Sequence, residues 1–339
     1  MKIGIIGLGY WGPNLVRNFS SQSEVTEVIA CDVRAERRNI IKKKFPSIKV
    51  IDSCEELVNS DVDAIVIATP VASHFNIAKK CLEAGKHIWV EKPFTASSLE
   101  ALELLDIAER KKLNIFVDHT FIYTGAVRKM KDLVKSGELG NILYFESERI
   151  NLGLFQKDVN VIWDLAPHDL SIMDYIMDTQ KVVAVCANGI ANFNGLENVA
   201  HISVYFEEKC FAHFHVNWTS PVKIRRMMVG GDKKMLVFDD MENFEKIKVY
   251  DSGIEINTTE GIHEALVQYR IGDMFSPKVN QTEALDLGAK EFIASIIENR
   301  LPKTNGYDGL KIVKILEASS KSLANRGEMI EINSFAEAY

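Results

Sequence analysis

Over residues 1–120, short apolar runs alternate with helical patterns. Apolar runs at 2–6, 25–31, 49–51, 64–68, 87–90 and 114–117 read as strands. Between them, 35–45, 74–84 and about 99–112 carry helical spacing. Ser53-Cys54-Glu55-Glu56 and Ser97-Ser98-Leu99-Glu100 have the form of capping boxes, and Gly85 stops the helix before it. Strands alternating with helices predict an α/β fold, a Rossmann-type doubly wound parallel sheet covered on both faces.

After residue 120 the pattern changes. One amphipathic helix is expected over 125–136. Longer strands follow at 143–150, 182–189, 200–206, 210–218, 225–229 and 235–238, with Gly230-Gly231-Asp232-Lys233 as a hairpin turn between the last two. Two helices close the chain, one carrying Leu285, Phe292, Ile293 and Ile296, the other Leu310, Val313, Leu316 and Leu323. The expected second domain is α+β with a large, open, mostly antiparallel sheet. The division is placed at 1–120 and 121–339. Val204, Phe206, Phe214 and Val216 alternate as an uncovered apolar face would, which predicts a homodimer or homotetramer through that sheet.

Composition narrows the class. With 40 basic and 47 acidic residues the net charge is −7, so no nucleic-acid partner is expected. The basic run from Arg37 to Lys44 is broken by apolar residues at helical spacing and reads as a solvated helix face. No apolar run approaches the ~18 residues of a membrane span. With a strand expected from Lys2, no signal peptide is expected. The five cysteines include no CxxC pair and read as reduced, buried thiols, so a cytoplasmic protein is expected.

The first candidate chemistry is GLGYWG, Gly7 to Gly12, between a strand and a helix. Gly7 permits the tight turn, Gly9 lets the backbone approach a pyrophosphate, and Gly12 allows close helix–strand packing. Tyr10 and Trp11 sit in the same loop and are expected to line the dinucleotide. Asp32 ends the second strand, 20 residues after Gly12, where a carboxylate takes the adenosine ribose hydroxyls. A carboxylate there favours NAD(H) over NADP(H); Arg34, two residues on, is the residue that could pair with a 2′-phosphate.

The second is at the carboxyl ends of the next strands, where open α/β sheets bind ligands. The fourth strand runs into ATPVASH, putting Thr69, Pro70 and His74 among the cofactor-facing candidates. The fifth ends at Glu91-Lys92-Pro93, with a lysine aimed into the cleft and a cis bond before Pro93 that would fix its direction. Glu91 is a cofactor-side candidate, as partner of Lys92 or as a group that orients the backbone. His119 follows the sixth strand at the same edge and either lines the substrate cleft or bonds within the hinge.

In this order and spacing, GLGYWG, ATPVASH and EKP resemble the glucose–fructose oxidoreductase / inositol dehydrogenase (Gfo/Idh/MocA) family, over essentially the whole chain. The resemblance implies reversible NAD(P)-dependent oxidation of a sugar or cyclitol hydroxyl. It puts the family lysine at Lys92 and the family Asp–His pair at Asp164 and His168, in WDLAPHDL. The chemistry agrees: oxidising a carbinol removes a hydroxyl proton, and histidine is the commonest base. His168 or a desolvated Lys92 fits that role, and Lys92 also fits as donor to the substrate oxygen. Pro167 argues against a regular helix here; Asp164 would cap one starting near Ala166 or Pro167.

The stretch 148–172 is similar to family members acting on the 3-position of a UDP-amino sugar, which makes Arg149, Asn151, Gln156, Lys157 and Asn160 candidate diphosphate and sugar contacts. Inositol or free-sugar dehydrogenase, and an NAD(P)-binding regulator without turnover, are the other readings. His213 and His215 share a strand face but have no evident third ligand, so no metal is expected.

Overall fold

The computed structural model describes residues 1–332 except 154, 157, 179, 194 and 256–267. Contacts divide the chain into two units, Met1–Tyr123 with Thr282–Lys314, and Thr124–Gln281 with the residues from Ile315 on. The sequence places residues 282–314 in the second domain; here they pack with the first.

The first unit is built on a six-stranded parallel sheet. Its strands are β1 (Lys2–Ile6), β2 (Glu27–Cys31), β3 (Lys49–Ile51), β4 (Ala64–Ile67), β5 (His87–Glu91) and β6 (Ile115–Asp118), in the order β3-β2-β1-β4-β5-β6. Around it lie α1 (Gly12–Ser20), α2 (Ala35–Lys44), α3 (Cys54–Val58), α4 (His74–Glu83) and α5 (Ser98–Lys111). The strands read as continuous apolar runs because helices bury both faces of a parallel sheet. Ser53 caps α3 by accepting from the Glu56 N–H, and Ser97 caps α5 by accepting from Glu100. Gly85 ends the chain's turn out of α4 with φ +78°.

A helix from Ala284–Ile297 also belongs here, and an aromatic cluster shows why. Trp89 on β5 stacks on Phe116 of β6 at 3.9 Å between centroids, and Phe292 meets both edge-on. A Cβ at Gly288 would lie 3.0 Å from the Trp89 ring, so the absence of a side chain seats that helix on the indole. Arg17 on α1 and Gln22 just beyond it reach Glu283 and Asp286. Helical periodicity announces an apolar stripe but not the sheet that it covers.

The second unit holds α6 (Gly125–Lys135), β7 (Ile142–Leu152), α7 (Val161–Ile176), β8 (Val182–Ile190), β9 (Val199–Phe206), β10 (Phe211–Asn217), β11 (Thr219–Gly231), β12 (Met235–Asp239) and β13 (Ile247–Tyr250). These strands, with Met274–Phe275 at one edge and Ile330–Glu331 at the other, form a nine-stranded sheet. The described pairings are antiparallel except β7 with β10, which run parallel. The turn over Gly230–Lys233 closes with the Gly231 N–H on the Lys234 carbonyl at 3.0 Å.

The proposed open apolar face needs correction. Val204, Phe214 and Val216 are 0% exposed and Phe206 7%; they form the covered face, against which α7 packs. The alternate residues His201, Ser203, Tyr205, His213 and His215 take the other face. His201 stacks on His215 at 4.4 Å and lies 3.2 Å from His213, ring nitrogen to ring nitrogen. A period of two shows that two faces differ, not which one a helix covers.

Candidate active site

At the carboxyl end of β1 the glycine loop has the geometry that a pyrophosphate requires. Gly7 has φ +98°, and a Cβ there would stand 2.4 Å from the Ala68 carbonyl oxygen. A Cβ at Gly12 would meet the Gly7 carbonyl oxygen at 2.5 Å, whereas at Gly9 it would meet nothing within 4 Å. Thus Gly7 and Gly12 are fixed by protein packing and Gly9 faces open space. Helix α1 starts with no side-chain cap, so its positive N-terminal end is not covered by a capping side chain. Tyr10 and Trp11, beside it, are 84% and 43% exposed.

Asp32 is buried at the end of β2. Its Oδ2 accepts the Leu8 N–H at 2.8 Å, tying the glycine loop to the second strand, and its Oδ1 accepts the Arg34 N–H at 2.8 Å. Burial works against the charge, but these amides and the Arg34 guanidinium hold the carboxyl below its usual pKa. The group is therefore an ionised acceptor. Arg34 is half-exposed, with Nε 3.4 Å from Asp32. These residues fit a dinucleotide.

The ends of β4 and β5 are joined through His74. Its Nδ1 lies 2.9 Å from the Pro93 carbonyl oxygen and its Nε2 2.8 Å from that of Thr69. The ring is 1% exposed, and burial keeps its pKa below the usual value. The expectation that His74 faces the cofactor is thus corrected: the buried ring is wedged between the Thr69 and Pro93 carbonyls of the two loops and, when neutral, donates to one of them. Thr69 is half-buried and accepts from Ser73 Oγ, while Pro70 is exposed. The Lys92–Pro93 bond is cis, as expected, and Lys92 is half-buried.

Glu91 also departs from expectation. It stands opposite Asp118 in the β5–β6 register, and both carboxyls are buried. Burial, then the Asp118 charge, push the Glu91 pKa well up. Burial also raises Asp118, to about 6, although Thr120 Oγ1 donates to it at 2.6 Å. Glu91 is thus a buried neighbour of Asp118 whose carboxyl is held toward its neutral form. His119 is 2% exposed and is pushed down to about 3 by burial and then by the Lys92 charge, so it is neutral.

In the second unit, Asp164 and His168 lie four residues apart on α7 and share a face. The helix begins earlier than predicted. Asn160 caps it by accepting the Trp163 N–H at 3.2 Å, and Pro167 sits inside the helix. Proline there removes one N–H, from the Trp163 carbonyl, and the surrounding packing carries the helix through. Trp218, between β10 and β11, donates its indole N–H to Asp164 Oδ2 at 3.0 Å and is 1% exposed. A Cβ at Gly153 would lie 2.5 Å from the Trp218 ring, so this glycine admits the indole. Nothing in the sequence motif points to Trp218, which follows Asp164 by 54 residues.

Arg149, expected as a diphosphate contact, is 3% exposed, and its Nε and Nη2 lie 2.8 and 2.5 Å from Asp169 Oδ1. Ser147 completes the set by donating to Asp169 Oδ2. This network anchors α7 to β7 directly behind His168. Asn151 and Gln156 are half-buried, and Lys157 lies outside the described residues.

Known proteins share this plan. The family model described as "Oxidoreductase family, NAD-binding Rossmann fold" matches residues 1–119, and that described as "GFO/IDH/MocA C-terminal domain" matches 127–237. The chain belongs to the Gfo/Idh/MocA oxidoreductase family. It is an NAD(P)-dependent oxidoreductase. The UDP-N-acetylglucosamine 3-dehydrogenase of Acidithiobacillus ferrooxidans is 26% identical over 89% of this chain and 88% of its own length. The myo-inositol 2-dehydrogenase of Thermotoga maritima is 22% identical over 96% of this chain and 97% of its own. The crystal structure of GenD2 from gentamicin A biosynthesis, in complex with NAD, superposes with a TM-score of 0.83 at 18% identity, over 98% of this chain and 97% of that one. That likeness concerns the fold.

Proposed function

We propose that this family member transfers a hydride between NAD(H) and the 3-position of a UDP-linked amino sugar. The relative named as a UDP-N-acetylglucosamine 3-dehydrogenase, matched along 89% of this chain, carries the substrate reading. The ionised Asp32 supports NAD(H) over NADP(H), since a carboxylate repels a 2′-phosphate. In this reading Gly7, Gly9 and Gly12 with the start of α1 hold the pyrophosphate, Tyr10 and Trp11 cover it, and Asp32 holds the ribose. The bound nicotinamide supplies the hydride acceptor.

The chain's own side chains handle the proton and the oxygen. Lys92 donates to the substrate oxygen and stabilises the charge that develops there. His168 takes the hydroxyl proton. Asp164, its carboxylate fixed by Trp218, holds a substrate hydroxyl or the His168 ring. Asn151 and Gln156, half-buried ahead of α7, are the sugar-side candidates that stay accessible.

The test is thermal stabilisation in the presence of NAD. A rise with UDP-GlcNAc and none with myo-inositol or glucose supports the reading; the reverse pattern favours the inositol or free-sugar alternative. We also propose a homodimer or homotetramer through the sheet face that bears Tyr205, His213 and His215. Light scattering that returned a monomer at micromolar concentration would contradict it.

A further inference from the structure

Cys31 and Cys54 lie 3.7 Å apart, sulfur to sulfur, although 23 residues separate them. Cys31 is the last residue of β2 and is fully buried, immediately before Asp32. Cys54 is half-buried and lines a cavity of about 470 Å³ with Asn76, Lys80 and Glu83. One sulfur is thus reachable from outside, and the other stands behind it.

We propose that Cys31 and Cys54 are a hydroperoxide-reactive thiol pair whose disulfide weakens dinucleotide binding at Asp32. The second half rests on the reading of Asp32 as the ribose contact. The protonation states favour the step. The hydrogen bond from Cys31 holds the Cys54 thiol below its usual value, at about 7, with the Lys80 charge helping and burial opposing. The same bond, and burial, push Cys31 up. Cys54 is the attacking thiolate, and Cys31 keeps its proton until it resolves the intermediate.

The Cys54 thiolate attacks one oxygen of the hydroperoxide. The O–O bond breaks, an alcohol or water leaves with the proton that Cys54 released, and Cys54 becomes a sulfenic acid. The Cys31 sulfur then attacks Cys54, the S–O bond breaks, and water departs with the Cys31 proton. Two thiols have lost two electrons and two protons, and the hydroperoxide is reduced. The sulfurs must close from 3.7 Å to about 2.05 Å. Asp32 follows Cys31 directly, so the closure draws its carboxylate off the Leu8 and Arg34 amides that orient it. The remaining thiols are poor competitors: burial pushes Cys81 up to about 12, Cys186 is engaged with the Gly327 carbonyl, and burial raises Cys210.

The reduced full-length chain would be treated with stoichiometric hydrogen peroxide, blocked with N-ethylmaleimide, digested and read by mass spectrometry. A Cys31–Cys54 linked peptide is expected. Cys31→Ser should instead give a dimedone adduct at Cys54. Peroxide should weaken NADH binding, followed by fluorescence, by about tenfold, the worth of one misplaced charged hydrogen-bond partner. Dithiothreitol should restore it, and Cys54→Ser should be indifferent to peroxide. No linked peptide, prior oxidation of Cys186 or Cys210, or a linked protein with unchanged NADH affinity would overturn the proposal. Reduced protein that forms the linked peptide on oxidation yet never binds NADH would sink the Asp32 reading and leave the thiol chemistry standing.

Discussion

Removing one partner of the Arg149–Asp169 pair should destabilise the second unit strongly. Both groups are nearly inaccessible, at 3% and 1%. Asp169 accepts from Arg149 Nε and Nη2 and from Ser147, so its oxygens are fully engaged. Asp169→Ala leaves a guanidinium buried without its counter-charge, and breaking such a pair costs about 3–5 kcal/mol. For a unit of this size that corresponds to a fall in Tm of about 6–20 °C. Replacing both partners, as Arg149→Met with Asp169→Leu, removes the two buried charges together and should recover most of the loss. Thermal and urea unfolding of the wild type, both single variants and the double variant would close the cycle. Single variants within about 1 kcal/mol of wild type would refute the argument. So would a double variant as unstable as the sum of the two, which would mean that the charges are independently solvated. Because the pair anchors α7 just beyond His168, activity of the single variants should fall as well, while NADH affinity should hold.

Three further outcomes follow from the geometry. Trp218→Phe keeps an aromatic ring but removes the N–H on Asp164; kcat should drop about tenfold or more with little change in NADH affinity, and an unchanged kcat would show that Asp164 needs no orientation. Asp32→Ala should weaken NADH binding about tenfold to a hundredfold while sparing NADPH, read by fluorescence titration; equal losses for both would contradict the ribose assignment. For Asp118, the folded pKa of about 6 stands above the ordinary 3.8. Its contribution to stability is complete below the lower value and is lost as pH rises through the upper one, by about 3 kcal/mol at most. The stability difference between wild type and Asp118→Asn should shift in that direction between about pH 4 and pH 7, and a flat difference would count against the buried carboxyl pair.

Local rules made much of the first unit legible. The glycine loop, the serine caps, Asp32 at the end of β2 and the cis bond before Pro93 each depend on neighbours in sequence or on one strand–turn–helix step. What escaped depends on partners far along the chain. Trp89 and Phe116 draw in the Ala284–Ile297 helix through Gly288. Asp169 turns Arg149 from a surface candidate into a buried anchor, and the Thr69 and Pro93 carbonyls enclose the His74 ring between them. The pairing of Cys31 with Cys54 has no spacing signal at all. Pro167 misled for a different reason: its local cost is real, and packing outweighs it.

The most direct test of the central claim follows reduced-nicotinamide absorbance while NAD and UDP-GlcNAc deuterated at carbon 3 are offered to the protein. Turnover should be slower than with the undeuterated sugar, deuterium should appear in the reduced nicotinamide, and the signal should be lost in Lys92→Ala. Deuterium that stays on the sugar during turnover, or turnover only with inositol or a free sugar, would contradict it.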